Sequence, residues 1–166
     1  MSNQVTPCAV PPDTLLANCQ RKGAYADCYV TEFERVIALP EYVEAFYTTP
    51  LFKVERLILR LLVSRPSSDL DAKALATGNA NTFAAWNVEG RGTDQLLLAD
   101  VSGKTRSWLM VEPASGGQHT RLYFGSAIIP GRNGQLGWSF RLLLGFHKFY
   151  SRALLRAARR RLANAS

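Results

Sequence analysis

The C-terminal stretch Leu136–Ala163 constrains the fold more than any other part of the chain, because apolar residues recur in it at helical spacing. They predict one wide apolar face made of Leu142, Leu143, Phe146, Phe149, Tyr150, Ala153, Leu154 and Ala157. Most of the basic residues of the stretch lie off this face. A helix of this kind needs a large apolar surface to cover it, and the strands that precede it are the only candidate.

Four segments upstream of this helix have the composition of short strands. They are rich in strand-forming residues and are separated by glycine-containing turns, which favours consecutive antiparallel hairpins. The predicted strands are Thr82–Glu89, Asp94–Val101, Thr105–Glu112 and His119–Ile129. A fifth strand, Tyr25–Glu34, is predicted nearer the N-terminus, because its aromatic and β-branched residues favour an extended backbone.

Short helices are predicted on either side of that first strand, from capping residues and prolines at their starts. They are Thr14–Lys22, which Asp13 would cap, Pro40–Tyr47, Leu51–Ser64 and Leu70–Thr77. The order of elements predicts an α+β fold in which a curved antiparallel sheet wraps around the long C-terminal helix. We expect one domain over residues 13–166, preceded by a flexible lead-in over residues 1–12.

The net charge of +7 is concentrated in the C-terminal helix. Seven of the 20 basic residues lie from Arg141 onward without a single acid among them, and the other basic residues equal the 13 acidic residues in number. Two interpretations follow. The arginines form a solvated outer face, or they bind a polyanion, either an anionic membrane surface or a nucleic acid.

Several functional classes have no support in the sequence. No apolar run is long enough to span a membrane, and the N-terminus lacks the pattern of a secretory signal. The three cysteines, Cys8, Cys19 and Cys28, show neither zinc-site spacing nor a disulfide framework, so we expect a cytoplasmic location, no metal and no cofactor. No phosphate-binding glycine motif and no nucleophile elbow is present.

Four short segments carry a resemblance to a known superfamily. They are Ala45–Arg56, Trp108–Leu109, Phe124–Ser126 and Phe146–Tyr150. In these segments and in its order of elements, the chain resembles an uncharacterised bacterial family of START-like domains. That family is part of the helix-grip, or START/Bet v 1-like, superfamily, which includes lipid carriers and polyketide cyclases. The superfamily has no universal catalytic residues, so the resemblance implies a fold but no catalytic site.

A curled sheet around a straight helix leaves room for an apolar hollow, and six residues are candidates to line it. Trp86, Trp108, Phe146 and Tyr150 are expected near its walls, while Arg106 and His147 would supply polar contacts that orient a ligand. The alternative is that both tryptophans belong to the core and that Arg106 is part of a surface ladder of ion pairs. The hollow would then be filled by aromatic side chains.

Three functions remain open at this point. The first is a binding module that holds a lipid-like or aromatic small molecule in an apolar cavity. The second is an enzyme of the cyclase or hydratase type on the same scaffold, with His147 or a strand carboxylate as the acid/base group. The third is a peripheral binder of membranes or nucleic acid that uses the arginine-rich helix end.

Overall fold

The computed structural model describes residues 4–63, 66–114, 116–130 and 138–165, with side chains at all of these except 58–63 and 138–147. Within this part of the chain the fold is α+β, with one seven-stranded antiparallel sheet and five helices. The helices are α1 (Leu15–Arg21), α2 (Leu39–Tyr47), α3 (Pro50–Val63), α4 (Asp69–Ala76) and α5 (Trp138–Asn164). The strands are β1 (Thr6–Pro7), β2 (Tyr25–Phe33), β3 (Thr82–Phe83), β4 (Trp86–Arg91), β5 (Gln95–Asp100), β6 (Thr105–Pro113) and β7 (Thr120–Ile128).

The sheet is open, with the strand order β1-β2-β7-β6-β5-β4-β3. Strands β4 to β7 form the consecutive hairpins that the turn sequences predict, and β2 pairs with β7 from Tyr25–Ile128 to Phe33–Thr120. The predicted strand Thr82–Glu89 is divided into β3 and β4 by a turn at Ala84, where φ is 51°. The sequence gives no sign of this turn, because it uses alanine where glycine, asparagine or aspartate is usual.

The N-terminal segment is part of the sheet rather than a loose lead-in over its whole length. Thr6 and Pro7 lie opposite Val30 and Tyr29 of β2, and Val5 is buried. Proline suits this position because β1 is an edge strand, where a missing N–H costs no ladder hydrogen bond.

Helices cover both faces of the sheet. On one face, which we call the main face, Tyr29, Leu98, Leu109 and Phe124 belong to a core cluster with side chains of α2, α4 and α5. On the other face α1 packs over a smaller cluster. The cap of α1 is Thr14, whose hydroxyl accepts from the N–H of Ala17, and not Asp13 as the sequence suggested.

Close packing of α1 depends on a glycine in β7. A Cβ at Gly125 would lie 2.3 Å from a methyl carbon of Leu16 and 3.0 Å from the Trp108 ring. The absence of a side chain at this position therefore lets α1 approach the sheet.

Helix α5 is present as predicted, but its buried side differs from the predicted apolar face. The side chains that face the core are Ser151, Leu154, Leu155, Ala158 and Leu162, whereas Phe149 is 71% exposed. Ala153 and Ala157 lie at the edge of the buried side and are only partly covered. The predicted members Leu142, Leu143 and Phe146 lie outside the residues whose side chains are described. The helix packs against α2 as well as against β2 and β7, so its environment is partly helical.

Aromatic side chains fill the described interior between the main face and the helices. Phe46 of α2 contacts Phe124 of β7 with 4.8 Å between ring centroids, and Tyr47 contacts Phe52 at 4.9 Å and Phe83 at 5.3 Å. The hydroxyls of two buried tyrosines also have partners: Tyr42 donates to the Tyr123 carbonyl, and Tyr47 bonds the Ser107 hydroxyl. This part of the core is packed, and the hydroxyls of both tyrosines are satisfied.

Candidate functional site

A groove of about 940 Å³ lies between α2, the first turn of α3 and the C-terminal half of α5. Its floor consists of small and aliphatic side chains, namely Ala45, Leu51, Ala153, Ala157 and Leu162. Ala153 and Ala157 are one helical turn apart, so α5 carries two small side chains on the side that faces α2. These small side chains leave room for the groove between the two helices. The groove therefore has an apolar base that is open to solvent.

Arginines form the α5 wall of this groove. Arg156, Arg160 and Arg161 are exposed and line it, and none of them has an ion-pair partner among the described residues. The sequence provides no acid on their own helix from Arg141 onward. Three exposed guanidinium groups thus lie beside an apolar floor, and each carries five N–H donors.

Two glutamates of α2 stand on the opposite wall. Glu41 is held by Arg35 at 2.5 Å, whereas Glu44 has no ion-pair partner among the residues that the structure describes. With one of the two acids already neutralised, the groove has a surplus of positive charge.

Two further arginines of α5, Arg152 and Arg159, have internal roles. Arg152 lies over the Tyr29 ring at 5.4 Å from its centroid. Arg159 lies over Phe33 at 5.7 Å and donates to the Glu32 carbonyl at 3.1 Å. These two side chains fasten α5 to β2. Among the α5 arginines whose side chains are described, Arg156, Arg160 and Arg161 are the group available for an external partner.

A partly buried acid, Glu55, lies one helical turn from the groove. The Tyr150 hydroxyl of α5 donates to the Glu55 carboxylate of α3 at 2.5 Å. Leu51 precedes Glu55 by four residues and Ala153 follows Tyr150 by three, so this bond joins the two helices just beyond the groove. Burial raises the pKa of Glu55, and the hydrogen bond from Tyr150 offsets part of this rise. The pKa of Tyr150 is raised by burial and by the nearby Glu55 charge.

Six residues were predicted to line one hollow, and the four whose side chains are described are divided between the two faces of the sheet. Trp86 and Tyr150 are partly buried against the main-face core. The indole N–H of Trp86 has no hydrogen-bond partner among the described residues. Phe146 and His147 lie outside the described side chains.

Trp108 and Arg106 lie on the face that α1 covers, away from α5. Trp108 is fully buried and its Nε1 donates to Gln95 at 3.1 Å. Arg106 forms an ion pair with Glu89 at 2.6 Å and donates to the Gly103 carbonyl. The structure therefore does not bring these two residues together with Tyr150, and Arg106 takes part in a cross-strand ion pair.

Two strand carboxylates that might have served as acid/base groups, Glu89 and Glu112, are engaged in ion pairs. Glu89 contacts Arg106, and Glu112 contacts Arg121 at 3.3 Å and accepts from the Tyr123 hydroxyl at 2.7 Å. No cluster of three or more metal-ligating side chains occurs in the described part of the chain. None of the described helices combines the length and the apolar character required to cross a membrane.

Sequence reasoning identified the basic residues of the site but missed the groove beside them. Glu41, Glu44 and Ala45 fall in a predicted helix, and the sequence indicates no binding role for them. The signal in the sequence is the pair Ala153 and Ala157, spaced one turn apart beside Arg156, Arg160 and Arg161 on a helix that has no acid from Arg141 onward.

We found no family model, curated protein or solved structure that matches this chain.

Proposed function

We propose that this chain is a binding protein for an anionic amphiphile, a small molecule with an apolar tail and a carboxylate or phosphate head. The observation that carries the proposal is the groove between α2 and α5. It combines an apolar floor with Arg156, Arg160 and Arg161, which have no ion-pair partner among the described residues.

The dimensions of the groove suit a ligand of this kind. Its volume of about 940 Å³ lies near the upper end of the roughly 300–1,000 Å³ that is usual for small-molecule sites. The aliphatic floor offers burial to a hydrocarbon tail, which gains on the order of 0.8 kcal/mol for each CH₂ removed from water.

The arginine wall favours a negative head group. Guanidinium forms paired hydrogen bonds with carboxylate or phosphate and is less strongly hydrated than ammonium, so it gives up water at a lower cost. Since Arg156 and Arg160 follow each other by one turn along α5, one elongated ligand can contact both.

The proposed fold is a helix-grip of the START/Bet v 1-like type. The antiparallel sheet and the long C-terminal helix support this assignment. A helix-grip fold also requires that the sheet curve around α5. The ligand site proposed here lies on the α2 side of α5 and not under its centre, because aromatic side chains fill the described interior.

A second candidate is supported by the same arginines. A polyanion such as an anionic membrane surface or a nucleic acid would bind to exposed Arg156, Arg160 and Arg161 without using the apolar floor. The two candidates differ in whether a tail contributes to binding.

Titration calorimetry with two ligands of equal chain length tests the proposal. Dodecanoate should bind saturably below its micellar concentration, and dodecanol more weakly. Changing Arg156, Arg160 and Arg161 together to Gln should lower the affinity for dodecanoate by at least about tenfold, as expected when charge-assisted hydrogen bonds are lost. A control variant with Arg21, Lys22 and Lys104 changed to Gln loses the same charge away from the groove and should bind normally.

Three results would contradict the proposal. Absence of saturable dodecanoate binding would rule out the proposed amphiphile site. Equal losses in both variants would show that net charge matters and not the groove. Binding to acidic vesicles or to single-stranded RNA that depends on the three arginines, without any dodecanoate binding, would favour the second candidate.

A further inference from the structure

Two thiols face each other at the edge of the sheet, far from the groove. Cys8 directly follows β1, and Cys28 lies in β2 on the α1-covered side. The sulfur atoms are 3.2 Å apart, and the Cys8 N–H donates to the Cys28 carbonyl at 3.0 Å. Neither cysteine forms a disulfide in the structure.

We propose that Cys8 and Cys28 are a redox modification site, at which a hydroperoxide converts the two thiols into an intramolecular disulfide. This site is independent of the proposed amphiphile groove, since it lies on the α1-covered face of the sheet and the groove lies between α2, α3 and α5. It concerns the response of the protein to oxidants and not its ligand.

The backbone already holds the two residues at the spacing that a disulfide requires. The register of β1 and β2 places Thr6 opposite Val30 and Pro7 opposite Tyr29, so Cys8 comes next, opposite Cys28. Directly opposed residues of antiparallel strands have Cα atoms about 4.5–5.5 Å apart, inside the roughly 4.4–6.8 Å range of disulfides. The sulfurs need to approach by only about 1 Å to reach bonding distance, and small χ1 rotations supply this movement.

Exposure gives the two thiols different roles. Cys8 is half-buried and accessible from solvent, whereas Cys28 is 3% exposed. The hydrogen bond with Cys28 lowers the pKa of Cys8, and the same bond together with burial raises the pKa of Cys28. Cys8 therefore loses its proton first and is the thiol that meets the oxidant.

The reaction balances with hydrogen peroxide as the oxidant. The Cys8 thiolate attacks one peroxide oxygen, the O–O bond breaks, and the hydroxide released takes up a proton to form water. The Cys28 sulfur then attacks the sulfur of the Cys8 sulfenic acid, loses its proton and expels a second water molecule. Two thiols are oxidised to one disulfide, and one peroxide is reduced to two waters.

The third cysteine, Cys19, lies in the same cluster and is removed for the test. Cys19 of α1 is buried, and its sulfur contacts the Leu15 carbonyl at 3.6 Å. Burial raises the pKa of Cys19, so it should react slowly. A Cys19→Ser variant leaves the proposed pair as the only two thiols of the chain.

The test uses folded full-length Cys19→Ser protein treated with a small excess of hydrogen peroxide. Thiols are then counted after denaturation, and the peptides are analysed by mass spectrometry without reduction. We expect both thiols to disappear, the Cys8 and Cys28 peptides to be linked, and the protein mass to fall by two hydrogen atoms. Dithiothreitol should restore both thiols. Because the new bond closes a loop that contains α1, the Tm should rise by roughly 5–12 °C.

Other outcomes would overturn the proposal. These are unreacted thiols, a Cys8 sulfinic acid without a cross-link, a disulfide between two copies of the chain, or a disulfide that does not raise the Tm. A Cys8→Ser variant, which alters only a half-buried side chain, should leave Cys28 unreactive under the same conditions. Rapid oxidation of Cys28 in that variant would refute the assignment of Cys8 as the attacking thiol.

Discussion

Replacement of Leu155 by alanine tests the observed orientation of α5. The Leu155 side chain is fully buried in the main-face core. Its truncation removes three carbon groups, worth about 2.4 kcal/mol at roughly 0.8 kcal/mol each. A residual cavity of about 40 Å³ adds about 1 kcal/mol at roughly 24 cal/mol per Å³. The free energy of unfolding should therefore fall by about 3 kcal/mol.

Phe149→Ala is the matched control on the same helix. This side chain is 71% exposed, so little apolar surface is lost, and the higher helix propensity of alanine returns about 0.5 kcal/mol. We expect a net cost below about 1 kcal/mol. Urea denaturation monitored by tryptophan fluorescence gives both values. A Phe149→Ala cost that equals or exceeds the Leu155→Ala cost would refute the observed orientation and restore the face that the sequence predicts.

Two further predictions concern the close approach of Gly125 to Leu16 and the partly buried acid Glu55. Gly125→Ala should destabilise the protein by about 1–3 kcal/mol in chemical denaturation, because its Cβ would collide with buried Leu16, and a cost below about 0.5 kcal/mol would contradict this packing. Glu55→Gln should flatten the pH dependence of stability. Since the native pKa of Glu55 is raised, the native state binds more protons than the unfolded chain, and wild-type stability should fall as pH rises from the ordinary glutamate pKa to the raised one. The amide oxygen of the variant still accepts from Tyr150, so parallel pH profiles of the two proteins would show that Glu55 is not responsible.

The sequence predicted those elements whose signals are local. The hairpins β4 to β7 follow from glycine turns, and α5 follows from the helical spacing of its apolar residues. The fold class is confirmed at this level, as an α+β arrangement with an antiparallel sheet and a C-terminal helix. Two strands were missed, since β1 contains only Thr6–Pro7 and β3 ends at a turn formed by Ala84.

The side of the sheet or helix on which each side chain lies was harder to predict, because it depends on contacts between residues that are distant in sequence. Trp108 and Leu109 are both apolar, so strand alternation alone does not say which of them lies on the main face. In the structure Leu109 does, and Trp108 faces α1, where Gly125 makes room for it. Phe149 likewise has the composition of a buried residue, but α5 turns Leu155 and Ala158 to the core instead.

The groove could not be predicted for a related reason. Its walls come from α2 and α5, which are about a hundred residues apart in the chain, and their contact follows from tertiary packing. The charge asymmetry after Arg141 was visible in the sequence, but the pairing of arginines with an apolar floor was not.

The location of a bound amphiphile tests the central claim most directly. Amide chemical shifts of labelled protein, recorded by NMR during titration with dodecanoate, report which residues the ligand approaches. We predict saturable changes in α2 around Ala45 and Thr48 and in α5 from Ala153 to Arg161, with little change around Leu16 of α1. Changes centred on α1 and its side of the sheet, or no saturable change at all, would contradict the account.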